Sequence, residues 1–137
     1  DVYKRQEDYV ADLGGVRTEG NAEVLMARSS VAMAGRLAGV PVLDQVVTDF
    51  RNDERLRRET AEARALGYAG KMCIHPAQVP IANGGFVPSE DEIDRARRLL
   101  RAYDEASATG VAAIDFEGQM VDEPLAAQAR RLLLLAD

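Results

Sequence analysis

Few residues of this sequence are of types that do chemistry, so their spacing is informative. His75 is the single histidine and Cys73 the single cysteine. Both fall within Gly67-Tyr68-Ala69-Gly70-Lys71-Met72-Cys73-Ile74-His75-Pro76-Ala77-Gln78-Val79. One histidine excludes a histidine-cluster metal site, and its backbone before Pro76 is pushed toward extended conformations; alone it reads as a hydrogen-bonded structural group. Cys73, inside an apolar run, reads as a small buried hydrophobe with no nucleophile constellation around it. Lys71 offers a cation to a phosphate or to an interior ion pair. Arg17 can grip a phosphate or carboxylate with its fork, or pair with Glu19 at the surface. Asp8, Asp44 and Asp122 each stand at the edge of an apolar run beside a turn signal, where an aspartate by itself reads as a cap or turn residue.

The elements that must position these residues follow from hydrophobic period and punctuation. An apolar run entered through two glycines and stopped by Pro76 reads as a short buried strand delivering polar groups to a loop. Before it, Val40-Pro41-Val42-Leu43-Asp44 reads as another strand, with Pro41 tolerable at its start. The intervening helix is capped by Asn52 or Asp53, carries Leu56, Ala63 and Leu66 at helical intervals, and ends at Gly67. Asn21 to Leu37 is a helix with Val24, Leu25, Met26, Val31, Ala32 and Leu37 on its apolar face and Gly39 as its stop. Asp8 is expected at the end of a first strand, although Lys4-Arg5-Gln6 is too polar for a strand buried on both faces; a glycine-containing loop follows to Gly20. After the central strand, Ser89-Glu90-Asp91-Glu92 is a capping box for a helix with Ile93, Ala96, Leu100 and Tyr103 along its buried stripe. Residues 111–121 read as a hairpin or bent loop around Asp115-Phe116-Glu117-Gly118. Pro124 then opens a last helix with Leu125, Ala129, Leu132, Leu133 and Ala136 on one side. The order β-α-β-α-β-α predicts parallel strands with crossover helices, an α/β fold.

The Gly-x-x-Gly-Lys-x-Cys-Ile-His-Pro-x-Gln run, the Glu7-Asp8 pair, Asp44 and Gly118-Gln119-Met120-Val121-Asp122-Glu123-Pro124 stand in one order along nearly the whole chain. Together they resemble the C-terminal half of the CoA-ester lyases of the citrate lyase β-subunit type. The resemblance implies the C-terminal part of a TIM (β/α)8 barrel, about its last three strands with their helices over residues 7–107, and a lid hairpin and helix over 108–137. Residues 1–6 are then a non-native junction. It implies Mg²⁺ as cofactor with Asp8 as a ligand beside a glutamate from a preceding strand, which this chain lacks; Glu7, next to Asp8 in a strand, would face the other way. It makes Asp44, His75, Pro76 and Gln78 substrate- or CoA-binding residues, and Asp122 the acid/base of a lid that reaches a neighbouring subunit's site. A homo-oligomer, trimer or hexamer, follows from that sharing. The implied activity is retro-aldol cleavage of a 3-hydroxyacyl-CoA thioester of malyl, citramalyl or citryl type, with the chain inactive by itself. Alternatives are a malyl-CoA thioesterase, a malate-synthase-like enzyme, or a non-catalytic assembly or binding module.

Bulk properties agree with a part of such a protein. At 137 residues the chain suffices for one ordinary domain but falls short of the roughly 250 residues of a TIM barrel. A net charge of -6 argues against a nucleic-acid surface, which needs a basic stripe, and obliges an anionic CoA to find local cations. One cysteine cannot make an internal disulfide, which fits a reducing compartment. No apolar run is long enough to span a membrane and no signal-peptide pattern is present; the expectation is a soluble, cytoplasmic protein.

Overall fold

The computed structural model describes residues 6–136, so all but Gln6 of the expected junction lies outside the described residues. The chain divides into two compact units, Asp1–Phe86 and Val87–Asp137.

The first unit contains α1 (Gln6–Asp12), a short 3-10 turn (Ala22–Val24), α2 (Leu25–Ala38), β1 (Leu43–Asp44), α3 (Asp53–Leu66), β2 (Gly70–Lys71) and α4 (Gln78–Phe86). β1 and β2 pair in parallel, with Leu43 opposite Gly70 and Asp44 opposite Lys71, and α3 makes the crossover between them. Backbone bonds from Ala69 N–H to Val42 C=O (2.9 Å) and from Met72 N–H to Asp44 C=O (3.0 Å) extend the pairing at either end. This β-α-β unit is the predicted α/β arrangement.

Local chemistry accounts for the helix boundaries. Asn52 caps α3 by accepting from Arg55 N–H (3.0 Å), and Asp53 and Glu54 in the first turn complement the helix dipole. α3 ends at Gly67 with φ 92, a left-handed conformation that glycine adopts at little cost. α4 was not foreseen: Pro80 and the Gly84-Gly85 pair obscure it. Pro80 is tolerated because it falls in the first turn, and Gly85 is required by close packing. A Cβ there would come within 2.5 Å of Thr60 Cγ2 on α3.

Three expectations are corrected. Glu7 and Asp8 stand in the first turn of α1 and not at a strand end, where two carboxylates suit the helix dipole, and Val10 turns inward to a buried position. The run from Gly67 to Val79 yields a strand of only two residues, because the chain after Lys71 leaves the sheet to form a loop. Among the described residues the parallel sheet therefore has two strands where three were expected. Finally, α2 buries Val24 at its entry and then Arg28, Ala32 and Gly35, leaving Leu25, Met26 and Leu37 exposed.

The second unit comprises α5 (Glu90–Ser107), β3 (Ile114–Phe116), β4 (Gln119–Val121) and α6 (Glu123–Leu133). Ser89 and Glu92 form both bonds of the capping box: Ser89 Oγ accepts from Glu92 N–H (3.2 Å), and the Glu92 carboxylate accepts from Ser89 N–H (2.8 Å). β3 and β4 are antiparallel, with Ile114 opposite Val121. Their two-residue turn, Glu117-Gly118, has both φ angles positive (54 and 79), which matches the twist of a hairpin. Ala96, Leu99 and Tyr103 of α5 pack with Val121, Ala126 and Ala129 into one apolar core. By packing, α5 thus groups with the hairpin and last helix.

Candidate functional site

Because β1 and β2 are parallel, Asp44 and Lys71 end their strands on the same edge, and the loops 45–52 and 72–77 leave from it. In open and closed α/β sheets that edge is where ligands bind.

Directly beneath the edge lies a buried charge network. Arg28 of α2 grips Asp44 with both arms of its fork, Nε to Oδ1 (3.0 Å) and Nη2 to Oδ2 (2.8 Å), and Lys71 Nζ donates to the same Oδ2 (2.9 Å). Lys71 is also 3.5 Å from Glu59 Oε2, Arg55 binds the other oxygen of Glu59 (2.7 Å), and Arg28 Nη1 reaches Glu62 (3.3 Å). Arg28 and Lys71 are buried with Asp44 and Glu59, while Arg55 and Glu62 are only partly covered, so the net charge sealed inside is near zero, the condition under which such groups tolerate burial. Burial pulls the Arg28 guanidinium down, but Asp44 and Glu62 outweigh it and raise its pKa. Burial and the charge of Asp44, opposed by Arg28, push the Tyr68 phenol up to about 12; its hydroxyl donates to the Arg28 carbonyl (3.0 Å).

Asp44, expected to touch substrate, is therefore 1 % exposed with both oxygens held by Arg28 and Lys71. Lys71 takes the interior ion-pair role. Sequence reading overlooked Arg28, although an arginine in line with Val24 and Ala32 at four-residue intervals was a visible signal.

A second cluster stands beside the network. Arg17 donates from Nε to Glu7 (3.0 Å), from Nη1 to Glu23 (2.6 Å), and from Nη2 to both Asn21 Oδ1 (3.0 Å) and Gln45 Oε1 (2.9 Å). Glu7 and Glu23, not Glu19, are its ionic partners. Gln45 Nε2 also donates to Asn21 Oδ1 (3.0 Å), which fixes the orientation of the Asn21 amide and leaves its buried Nδ2 without a partner. Burial pushes the Glu23 carboxyl up; the Thr18 hydroxyl, backbone N–H groups and Arg17 outweigh it and bring the pKa down to about 2.

The third group is the His-Pro-x-Gln turn. The Gln78 side chain is buried and bonded through both its oxygen and its nitrogen: Oε1 accepts from Ile74 N–H (2.9 Å) and His75 N–H (3.3 Å), while Nε2 donates to Val47 C=O (2.9 Å). It ties the loop after β2 to the loop after β1. His75 and Pro76 are exposed. The His75 ring stacks on Phe50 at 4.8 Å between centroids and 19° between planes, its Nδ1 accepting from Ala77 N–H (3.2 Å). Cys73 is half-buried, and burial, opposed by Lys71, raises its thiol pKa.

Asp8 is exposed on the first turn of α1. Among the described residues no group of three or more His, Cys, Asp and Glu could hold a metal. Mg²⁺ takes oxygen ligands and commonly keeps its waters around one or two carboxylates, so the Asp8 carboxylate has the donor chemistry of one such ligand and of no more than one. Asp122, in the second unit, occupies the N-cap of α6 with extended backbone but makes no side-chain cap bond. Among the described residues no helix is long and apolar enough to cross a membrane.

Residues 2–76 match the HpcH/HpaI aldolase/citrate lyase family, and the chain belongs to that family. A citrate lyase subunit beta-like protein of Deinococcus radiodurans is 55% identical over 132 residues, 96% of this chain and 46% of its own length. The mitochondrial citramalyl-CoA lyase of Mus musculus is 35% identical over 130 residues, 95% of this chain and 38% of its own. Among solved structures, CitE of Mycobacterium tuberculosis in complex with magnesium, acetoacetate and coenzyme A superposes with a TM-score of 0.83 at 35% identity, covering 95% of this chain and 49% of that one. The chain thus spans less than half the length of these relatives.

Proposed function

We propose that this chain is the C-terminal part of a Mg²⁺-dependent lyase that cleaves a carbon–carbon bond in a 3-hydroxyacyl-CoA thioester of malyl, citramalyl or citryl type. The observation that carries the proposal is the likeness, over 95% of the chain, to a protein crystallised with magnesium, acetoacetate and coenzyme A. In this reading the β1–β2 pair and its helices are the closing portion of a TIM barrel, and residues 108–137 its lid.

Each site residue then has a part set by its position. Asp8 would hold the metal through its carboxylate. A bound Mg²⁺ supplies Lewis-acid stabilisation of the negative charge that develops on oxygen as the carbon–carbon bond breaks. His75 and Pro76, exposed on the loop after β2, line the CoA channel. Gln78 holds that loop in place, and Asp44 contributes from below by keeping Arg28 and Lys71 fixed under the strand ends. Retro-aldol cleavage requires the β-hydroxyl to lose a proton and the α-carbon to gain one. Asp122 is the group proposed to carry that proton, since its carboxylate is not used to cap α6. A lid can bring such a group and exclude water only when substrate is bound. Supplied to a neighbouring subunit's site, it makes a homo-oligomer necessary. In the same reading this chain is inactive by itself because it lacks the second metal-binding carboxylate, the glutamate of a preceding strand.

Subunit mixing tests the reading in the full-length enzyme. Asp8→Ala and Asp122→Asn are each expected to abolish cleavage of the malyl, citramalyl and citryl thioesters. Hybrid oligomers of the two should recover part of the activity, because some sites combine an intact metal ligand with an intact lid. Full activity of Asp122→Asn alone would return that residue to a helix-terminal role, and a wild-type protein that cleaves none of the three thioesters would overturn the lyase assignment.

A further inference from the structure

We propose that Arg17 is a positioning residue for Asp8, locking the rotation of α1 onto the end of β1. The inference rests on the reading of Asp8 as a metal ligand, and the geometry around Arg17 carries the rest.

α1 is a helix of seven residues, too short to be stable alone in water. Among its described side chains Val10 is buried and Tyr9 half-buried, a narrow contact surface with which to fix the rotation of a short helix. The second tether is polar. Glu7, the immediate neighbour of Asp8, accepts from Arg17 Nε at 3.0 Å. Successive residues of an α-helix are rotated by about 100°, so holding Glu7 in one direction sets the direction of Asp8.

Arg17 can act as the fixed end of that tether because the other arms of its planar fork are already held. Nη2 donates to Asn21 Oδ1 and Gln45 Oε1, both side chains belonging to residues at most 5 % exposed, and Nη1 donates to Glu23. Gln45 directly follows Asp44 at the end of β1. A single guanidinium therefore joins the helix that bears Asp8 to the edge of the sheet, through Asn21 held at φ 54, a left-handed conformation unusual outside glycine. A lysine has neither the planarity nor the number of donors to do the same.

A half-exposed Arg–Glu pair at a surface would by itself contribute little to stability, so the test reads metal binding and not melting. In the full-length enzyme, Mg²⁺ affinity is measured by calorimetry, and Mn²⁺ affinity by electron paramagnetic resonance, for wild type, Arg17→Gln, Arg17→Lys, Glu7→Gln and Asp8→Ala. Arg17→Gln is expected to weaken metal binding about 10- to 100-fold, as losses behind a metal ligand do. Excess Mg²⁺ should restore its activity, with the KM for thioester unchanged at saturating metal. Glu7→Gln should follow in the same direction, and Arg17→Lys should recover only part of the loss. Should Arg17→Gln fail to fold, the exposed Glu7→Gln carries the test. Wild-type metal affinity in a folded Arg17→Gln, or in Glu7→Gln, overturns the proposal while leaving Asp8 as ligand. Wild-type affinity in Asp8→Ala overturns the ligand assignment and this proposal with it.

Discussion

Both compact units have an apolar cluster, that of the first formed by Ala32, Ala63 and Tyr68, but among the described residues only the first also buries charged side chains. The interior of the first holds Arg28, Asp44, Glu59 and Lys71 with Asn21, Gln45, Thr60 and Gln78 among its buried residues. The core cluster of the second is Ala96, Leu99, Tyr103, Val121, Ala126 and Ala129. Its ion pairs, Arg95 and Arg98 with Glu117 and Arg130 with Glu123 and Asp104, lie on exposed side chains. An apolar core gains stability in proportion to the area it removes from water, which suits a small unit of two helices and a hairpin. Buried ion pairs gain little net stability, because desolvation offsets most of their attraction. What they provide is a definite geometry: Asp44 accepts Arg28 and Lys71 only when α2, β1 and β2 are all in register. The charged interior lies under the strand ends that carry the candidate site, and this is where fixed geometry is useful.

That contrast can be broken at its strongest point. Asp44→Ala leaves Arg28 and Lys71 buried with part of their charge unanswered, and is expected to destabilise the first unit by about 3–5 kcal/mol, read as a lowered urea midpoint. A loss well under that would mean that Glu62 and Glu59 satisfy the two cations unaided. A pH series sharpens the intermediate case. The Glu23 carboxyl is lowered from 4.5 to about 2, so the folded state binds its proton less readily than the unfolded chain. Its contribution is fully present above pH 4.5 and disappears as pH falls toward 2. The difference in unfolding free energy between wild type and Glu23→Gln should accordingly hold from neutrality to about 4.5 and close below it. The smallest effect belongs to the second unit. Hydrogen bonds from Arg98 and Arg95, only partly opposed by desolvation, lower the Glu117 carboxyl, but all three side chains are well exposed. Glu117→Gln should shift the midpoint by a small fraction of the Asp44→Ala effect, and 1 M salt should remove what remains.

Signals confined to a single turn were legible from residue types. Asn52 and Gly67 bound α3, Ser89 and Glu92 make the capping box, Glu117-Gly118 turns the hairpin and Pro124 opens α6, each because the required partner or backbone angle lies within a few residues. The ordered motifs likewise identified the family, since they are properties of the chain and need no contact to be read.

The interior of the site was decided elsewhere. Arg28 and Asp44 are 16 residues apart, Asp44 and Lys71 27, and Arg17 and Gln45 28; nothing local selects these partners. The apolar residues nominated for α2 illustrate the same point, for Leu25, Met26 and Leu37 are exposed while an arginine occupies the buried stripe. In α4, Gly85 lets Thr60 of α3 approach at close range, a fit between two helices that composition alone reads as a break. By itself the sequence determined caps, turns, the parallel β-α-β order and family membership, all of which depend on neighbours along the chain. Tertiary structure alone decided which charges are buried together, which carboxylate is left exposed and which side chains hold the loops, because the free energy of a buried charge depends on the groups that surround it in space.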